Sequence, residues 1–171
     1  YAGKAHPHDE GGKEQIRRVF AAAAALRGDV TVVYLPGYDM DLGRALCAGT
    51  DVWLNTPQKP QEASGTSGMK AVVNGVPSLS VLDGWWLEGY DGTNGFAIGN
   101  GNDGADVSKI DALDAESLYR TLESEVVPLY YHRDDDGIPR HWIAMTKRAI
   151  QTLAPQYNSD RMVEEYARKI Y

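Results

Sequence analysis

Apolar positions along the chain fall into two kinds of pattern, short β-branched runs and longer helical stretches, and they alternate. Residues 9–26 are strong helix formers and include an alanine run at 21–25. Asp9 and Glu10 are acidic near the start, which suits the helix dipole, and Gly28 is a plausible stop. Val30-Thr31-Val32-Val33-Tyr34-Leu35 is short, apolar and β-branched, so it predicts a buried strand, broken by Pro36-Gly37. A short helix over 40–48 and a second buried strand, Val52-Trp53-Leu54, follow. Residues 55–61 read as a loop with Pro57 and Pro60, and 64–74 as a helix reached through a Gly/Ser/Thr-rich turn and ended by Gly75.

A third strand is predicted over 78–82, a loop rich in glycine and tryptophan over 83–94, and a fourth short strand over 95–98. Residues 100–106 read as a polar Gly/Asn/Asp loop. From Asp114 onward the pattern is helical, over about 115–132, 139–153 and 159–170, with Pro128 and Pro155 setting bends or ends. Strands alternating with helices predict an α/β fold, a parallel sheet covered on both faces. In such sheets ligands bind in the loops at the carboxyl ends of strands. Those loops here are the ones after Leu35, over 55–70, and after Leu82.

Composition changes this picture little. The 171 residues suffice for one domain with a real core, and 43% hydrophobic with 24% charged residues is ordinary for a globular protein. No apolar run is long enough to span a bilayer. Charge matters more. A net charge of −7 argues against nucleic acid as a main partner, so any phosphate site has to be built locally from backbone N–H groups, helix N-termini and a few lysines. The single cysteine, Cys47, cannot form an internal disulfide, and a cytoplasmic location is expected. Its apolar surroundings favour a buried core thiol over a nucleophile. The opening Tyr1-Ala2-Gly3-Lys4-Ala5 reads like the exit of a strand, so the chain is expected to begin inside a domain.

The densest chemistry lies in Glu62-Ala63-Ser64-Gly65-Thr66-Ser67-Gly68-Met69-Lys70. Small residues let the backbone approach a ligand, and a helix starting here would turn its free N–H groups toward an anion. Thr66 and Lys70, four apart, share a helix face, and helical side chains lean toward the N-terminus, so Lys70 can reach back over that site. A lysine beside a phosphate cradle is what a Schiff-base cofactor such as pyridoxal phosphate needs. A solvated lysine on a Gly/Ser/Thr-rich helix start is the alternative that composition leaves open. The spacing fits neither a P-loop nor a dinucleotide fingerprint.

The stretch from Gln61 to Lys70 resembles the cofactor-lysine signature of the glycogen and α-glucan (maltodextrin) phosphorylases. Ala2-Gly3-Lys4-Ala5, Asp51-Val52-Trp53-Leu54-Asn55, Asn74-Gly75-Val76-Pro77, Leu79-Ser80-Val81-Leu82-Asp83-Gly84-Trp85-Trp86 and the run from Glu88 to Gly99 are similar, in order, to the bacterial short-form branch. The resemblance implies the C-terminal half of a GT-B fold: a Rossmann-like cofactor- and glucose-binding part over 1–113 and C-terminal helices of the same domain over 114–171. It implies a glycosyltransferase that splits α-1,4-glucan with inorganic phosphate, releases glucose 1-phosphate and retains anomeric configuration. Lys70 matches the lysine that carries pyridoxal 5'-phosphate, whose phosphate exchanges a proton with the substrate phosphate. Thr66 and Ser67 match positions that bind the cofactor phosphate, Tyr38 falls where a tyrosine lies beside the cofactor, and Glu62, Ala63, Ser64 and Gly65 match the glucose-binding segment. The family's substrate-phosphate site also uses a basic segment upstream of Tyr1, and its other cleft wall comes from an N-terminal domain. The chain alone is therefore expected to be inactive, with the N-terminal part of the enzyme as a partner. A homodimer of the full-length protein is compatible with the family.

Two other readings stay open: a nucleotide-sugar glycosyltransferase of the same architecture, which has no need of Lys70, and a binding domain without chemistry. No metal site is expected. His6, His8, Asp9 and Glu10 read as a solvated loop and helix cap, His132 and His141 as surface or packing residues, and Asp134-Asp135-Asp136-Gly137 as a turn, since the full calcium-loop pattern is absent. Trp85 and Trp86 are read as either sugar-stacking or core residues, and Lys4 as a surface lysine.

Overall fold

The computed structural model describes residues 1–99 and 107–171. The polar loop predicted over 100–106 lies outside the described residues. The chain divides into two compact units, Tyr1–Leu46 and Cys47–Tyr171.

The first unit is built on helix α1, Glu10–Ala25. Asp9 caps it, its carboxylate accepting the Gly12 N–H at 2.8 Å, as its place before a run of helix formers predicts. Lys13–Glu10 and Arg17–Glu14 ion pairs lie along its surface. The segment 30–35 is not the buried strand that its composition predicts. It makes one isolated parallel bridge, Ala2 to Leu35, and Val30 and Val33 are exposed. The physical reason is a shortage of neighbours: within the unit only the first residues of the chain pair with it, the Leu35 N–H donating to Tyr1 O at 2.8 Å. Helix α2, Met40–Gly49, follows, with the Asp39 carboxylate taking the Leu42 N–H at 2.8 Å.

The second unit holds a three-stranded parallel sheet in the order β1-β2-β3: β1 Trp53–Asn55, β2 Ser78–Val81 and β3 Phe96–Ile98. Leu54 pairs with Leu79, which pairs in turn with Phe96. Strand β2 is buried along its whole length, the burial expected of a central parallel strand. The prediction that β1 is buried is corrected: it is an edge strand with Leu54 half exposed.

Leu79, Val81, Phe96 and Ile98 form one apolar cluster with Val126 and Met145. A second cluster gathers Val72 of α3 (Thr66–Val73), Trp85 and Trp86 of α4 (Trp85–Gly89), and Ala149 and Leu153 of α7 (Arg140–Leu153). Met145, Ala149 and Leu153 are spaced by four on α7, one stripe that serves both clusters. The short helix α4 was not expected within the glycine- and tryptophan-rich loop.

Helix α5, Val107–Thr121, begins earlier than its pattern predicts and continues through a π-helical turn, Leu122–Val126, into α6, Val127–Tyr131. Pro128 has no N–H, and its ring would clash with the carbonyl four residues back; the wider π turn accommodates it without ending the helix. Helix α8, Ser159–Lys169, is capped by Asn158, whose side chain accepts the Arg161 N–H at 2.8 Å. No described helix is long and apolar enough to cross a membrane.

Candidate functional site

The parallel strands β1 and β2 send their carboxyl ends toward two loops that are stitched together. The loop after β1 reaches α3 through Glu62, Ala63, Ser64 and Gly65; the loop after β2 is Leu82, Asp83 and Gly84. The Glu62 N–H donates to the Asp83 carboxylate at 3.0 Å, and the Trp85 N–H donates to Ser64 O at 2.8 Å. Glu62 in turn accepts the Ser64 N–H at 3.2 Å. Gly84 makes this approach possible. Its φ is 53°, and a Cβ there would stand 2.6 Å from Ser64 O, so any side chain would push the two loops apart.

Helix α3 starts at Gly65, in the left-handed conformation (φ 84°, ψ 46°), with no side chain capping its first turn. The buried Trp85 indole packs flush against this start: a Cβ on Gly68 would lie 3.0 Å from the ring, and one on Gly65 3.2 Å. The two tryptophans left open between sugar stacking and core are therefore core, Trp85 at 5% and Trp86 at 0% exposure. They shape the loop from behind and leave no ring face for a sugar.

Ser64, Thr66 and Lys70 line one open cavity of about 590 Å³, whose opposite wall includes Tyr157, Asn158 and Arg161. The i, i+4 spacing places Thr66 and Lys70 on this cavity as the sequence predicts. Lys70 is exposed, and its backbone carbonyl accepts the Asn74 side-chain amide at 2.8 Å. Ser67 lies to the side, its carbonyl 4.0 Å from Cys47 Sγ. The Cys47 thiol is buried; burial raises its pKa, and the nearby Lys70 charge only partly opposes this. It is the inert core thiol expected of it.

Glu62 and Gly65 belong to the braced loop, and Ala63 is exposed upon it. Tyr38 belongs to the first unit, where its hydroxyl lies over Gly43. Sequence reasoning missed the brace formed by Asp83 and Gly84. It also missed Arg161 in the cavity wall, for which no local pattern exists, and the grouping of His132 and His141 with Asp134.

Chemically, the arrangement is a primary amine one turn above an uncapped helix start, with a hydroxyl between them and a cavity in front. It suits an anion that also offers a group for the amine.

Comparison with known proteins shows the family. Residues 1–121 match the family described as carbohydrate phosphorylase. A maltodextrin phosphorylase of Thermococcus litoralis is 47% identical over 171 residues, which is 100% of this chain and 20% of that protein. A glycogen phosphorylase of Aquifex aeolicus is also 47% identical over 171 residues, covering 100% of this chain and 24% of that protein. A glycogen phosphorylase of Mycobacterium tuberculosis is 45% identical over 170 residues, 99% of this chain and 20% of that protein. The chain thus spans a fifth to a quarter of the length of these curated relatives. The matched region contains both strand-end loops and the whole of α3 with Lys70, and this chain belongs to the carbohydrate phosphorylase family.

Proposed function

We propose that the protein containing this chain is an α-1,4-glucan phosphorylase that works with pyridoxal 5'-phosphate. The observation that carries this reading is the placement of Lys70 and Thr66 on the first turns of α3, above an uncapped start at left-handed Gly65 and open to one cavity. The donor set fits the cofactor: an exposed amine for its aldehyde, and a helix start with a threonine hydroxyl for its phosphate. Lys70 would hold it covalently, and Thr66 and Ser67 would bind its phosphate. When bound, the cofactor supplies a phosphate group that exchanges a proton with the substrate phosphate at neutral pH.

The chain's own residues do the positioning. Asp83 and the Trp85 N–H fix the 62–65 segment, so that Glu62, Ser64 and Gly65 present a rigid edge for hydrogen bonds to a terminal glucose. Lys70 and the α3 N-terminus add positive potential where charge develops as the glycosidic bond breaks. In this reading inorganic phosphate and α-glucan are consumed, and glucose 1-phosphate and a shortened glucan are formed, in the cytoplasm. The fold is the C-terminal half of a GT-B pair, with the cofactor- and glucose-binding part over 1–113 and its helices over 114–171. The other cleft wall belongs to the rest of the protein. The names of the relatives, maltodextrin and glycogen phosphorylases, support this reading over a nucleotide-sugar transferase.

The test is borohydride reduction after titration with pyridoxal 5'-phosphate, followed by peptide mapping. A reduced pyridoxyl group confined to the Lys70 peptide, and lost in Lys70→Ala, is expected. Labelling spread evenly over the lysines would overturn the assignment. In parallel, the full-length protein is expected to form glucose 1-phosphate from maltodextrin and phosphate, and its Lys70→Ala variant to form none.

A further inference from the structure

Away from the Lys70 cavity, the reversal between α6 and α7 gathers His132, Asp134 and His141, whose ligand atoms all lie within 4.8 Å of one another. We propose that these three side chains form a binding site for a divalent transition-metal ion of the zinc type, which clips the end of α6 to the start of α7.

The backbone prepares the site. His132 is the residue that ends α6, already extended at φ −63° and ψ 128°, so its ring leaves the helix surface. The chain then turns on itself: the Gly137 N–H donates to Asp134 O at 2.8 Å, and the Asp134 N–H donates to Ile138 O at 3.1 Å. Gly137, at φ 81°, supplies the left-handed residue such a turn needs. Helix α7 begins at Arg140, so His141 stands in its first turn, facing back across the reversal. The two imidazole centroids are 5.2 Å apart.

The carboxylate is held in place by a neighbour. Asp134 Oδ2 accepts from Arg140 Nη1 at 2.9 Å, while Oδ1 faces His132 Nε2 at 3.6 Å. Arg140 is itself held by Asp136 at 2.6 Å. One carboxylate oxygen is therefore committed and the other is presented, the usual way a ligating carboxylate is oriented from behind. Metal–ligand bonds of about 2.0–2.2 Å in a tetrahedral shell place ligand atoms roughly 3.3–3.6 Å apart. The His132–Asp134 edge is already close to this, and a modest side-chain rotation brings in His141.

Two imidazoles with one carboxylate select zinc-like ions over calcium or magnesium, which favour all-oxygen shells. His132 is half exposed and His141 is exposed, so an ion can reach them. Both line an open cavity of about 620 Å³ together with Thr93 and Glu125, which leaves a fourth position to solvent. A plain His132–Asp134 ion pair is the rival account, and it gives His141 no part.

The discriminating experiment uses protein stripped with EDTA and titrated with zinc chloride by calorimetry, with cobalt(II) chloride as a spectroscopic probe. One equivalent is expected to bind, raising the melting temperature, and cobalt is expected to show the intense visible bands of a four-coordinate ion. His141→Gln and Asp134→Asn should each weaken zinc binding by at least about tenfold. The His6→Gln/His8→Gln double variant removes the other two histidines of the chain and should leave binding unchanged. Binding that survives His141→Gln, binding that disappears with His6 and His8, or no binding at about 100 µM zinc would each overturn the proposal.

Discussion

Residues 1–46 and 47–171 are held together by different means. The buried apolar core, from Cys47 through Trp86 to Leu153, lies wholly in the second unit. In the first unit the organising contacts are mainly polar: locally the Asp9 cap and two i, i+3 ion pairs on α1, and across the unit the Ala2–Leu35 bridge with the Tyr34 hydroxyl donating to Gly3 O. None of its large apolar residues is fully buried, and Phe20 and Val30 stay open at 56% and 58% exposure. Yet Val30-Thr31-Val32-Val33-Tyr34-Leu35 is at least as apolar as Ser78-Leu79-Ser80-Val81, which is buried throughout. Burial follows from what surrounds a segment, here a strand on each side and helices over the sheet, more than from the segment's own composition.

The sharpest way to break this contrast is Trp86→Ala. Trp86 is fully buried, donates its indole N–H to Phe96 O at 3.1 Å and packs on Trp85 and Tyr90. Its loss removes a large apolar volume and a buried hydrogen bond, so a destabilisation of about 3–5 kcal/mol is expected in urea unfolding. A loss below about 1 kcal/mol would mean that the second unit does not depend on its core.

Next in size is Gly84→Ala. The substitution puts a Cβ 2.6 Å from Ser64 O at a positive φ, which should cost about 1–3 kcal/mol. Because it parts the two strand-end loops, it should also lower the yield of the pyridoxyl label at Lys70, an effect Trp86→Ala need not show once corrected for unfolded protein. Unchanged labelling with reduced stability would separate the brace from the cofactor site.

Much of this architecture was legible in the chain. Helices α1, α2, α3, α7 and α8 and strands β2 and β3 fall within a residue or two of their predicted limits, because period and punctuation agree there. The shared face of Thr66 and Lys70 was legible for the same reason, being local. What escaped depends on contacts between distant segments. The exposure of β1 reflects its edge place in the sheet, the role of Asp83 needs two loops from different strands, and the meeting of His132 with His141 needs a chain reversal. Helix α4 was hidden by its glycines and paired tryptophans, which punctuate like a loop but pack like a core.

Acid sharpens the comparison by testing a tertiary ion pair, of which the first unit's helix pairs are only local counterparts. Burial pushes the Asp91 carboxyl up, but hydrogen bonds from the Thr93 hydroxyl and N–H, with the Arg148 guanidinium at 2.9 Å, outweigh it and hold it below its usual value. A depressed folded value means that the stabilisation is present above the ordinary carboxylate range and is lost as pH falls through the folded value. Since Arg148 is half exposed, screening limits the pair to about 0.5–1 kcal/mol. Stability of the second unit should therefore fall below about pH 4, and Asp91→Asn should flatten that part of the profile while lowering the plateau near neutrality. An unaltered acid limb in Asp91→Asn would assign the loss to other carboxylates.

The smallest effect is expected from Phe20→Ala, in the first unit. Phe20 meets Tyr34 with ring centroids 5.3 Å apart, an aromatic pair worth about 0.5–1.5 kcal/mol when well formed, but more than half of Phe20 already faces solvent. Little apolar area returns to water on truncation, and alanine is the better helix former at that position of α1, so the two terms nearly offset. A change of less than about 0.5 kcal/mol is expected, measured in the same urea series as Trp86→Ala. If Phe20→Ala instead cost as much as the core tryptophan, residues 1–46 would owe their fold to apolar burial after all, and the division between an apolar-packed unit and one held by polar contacts would fail.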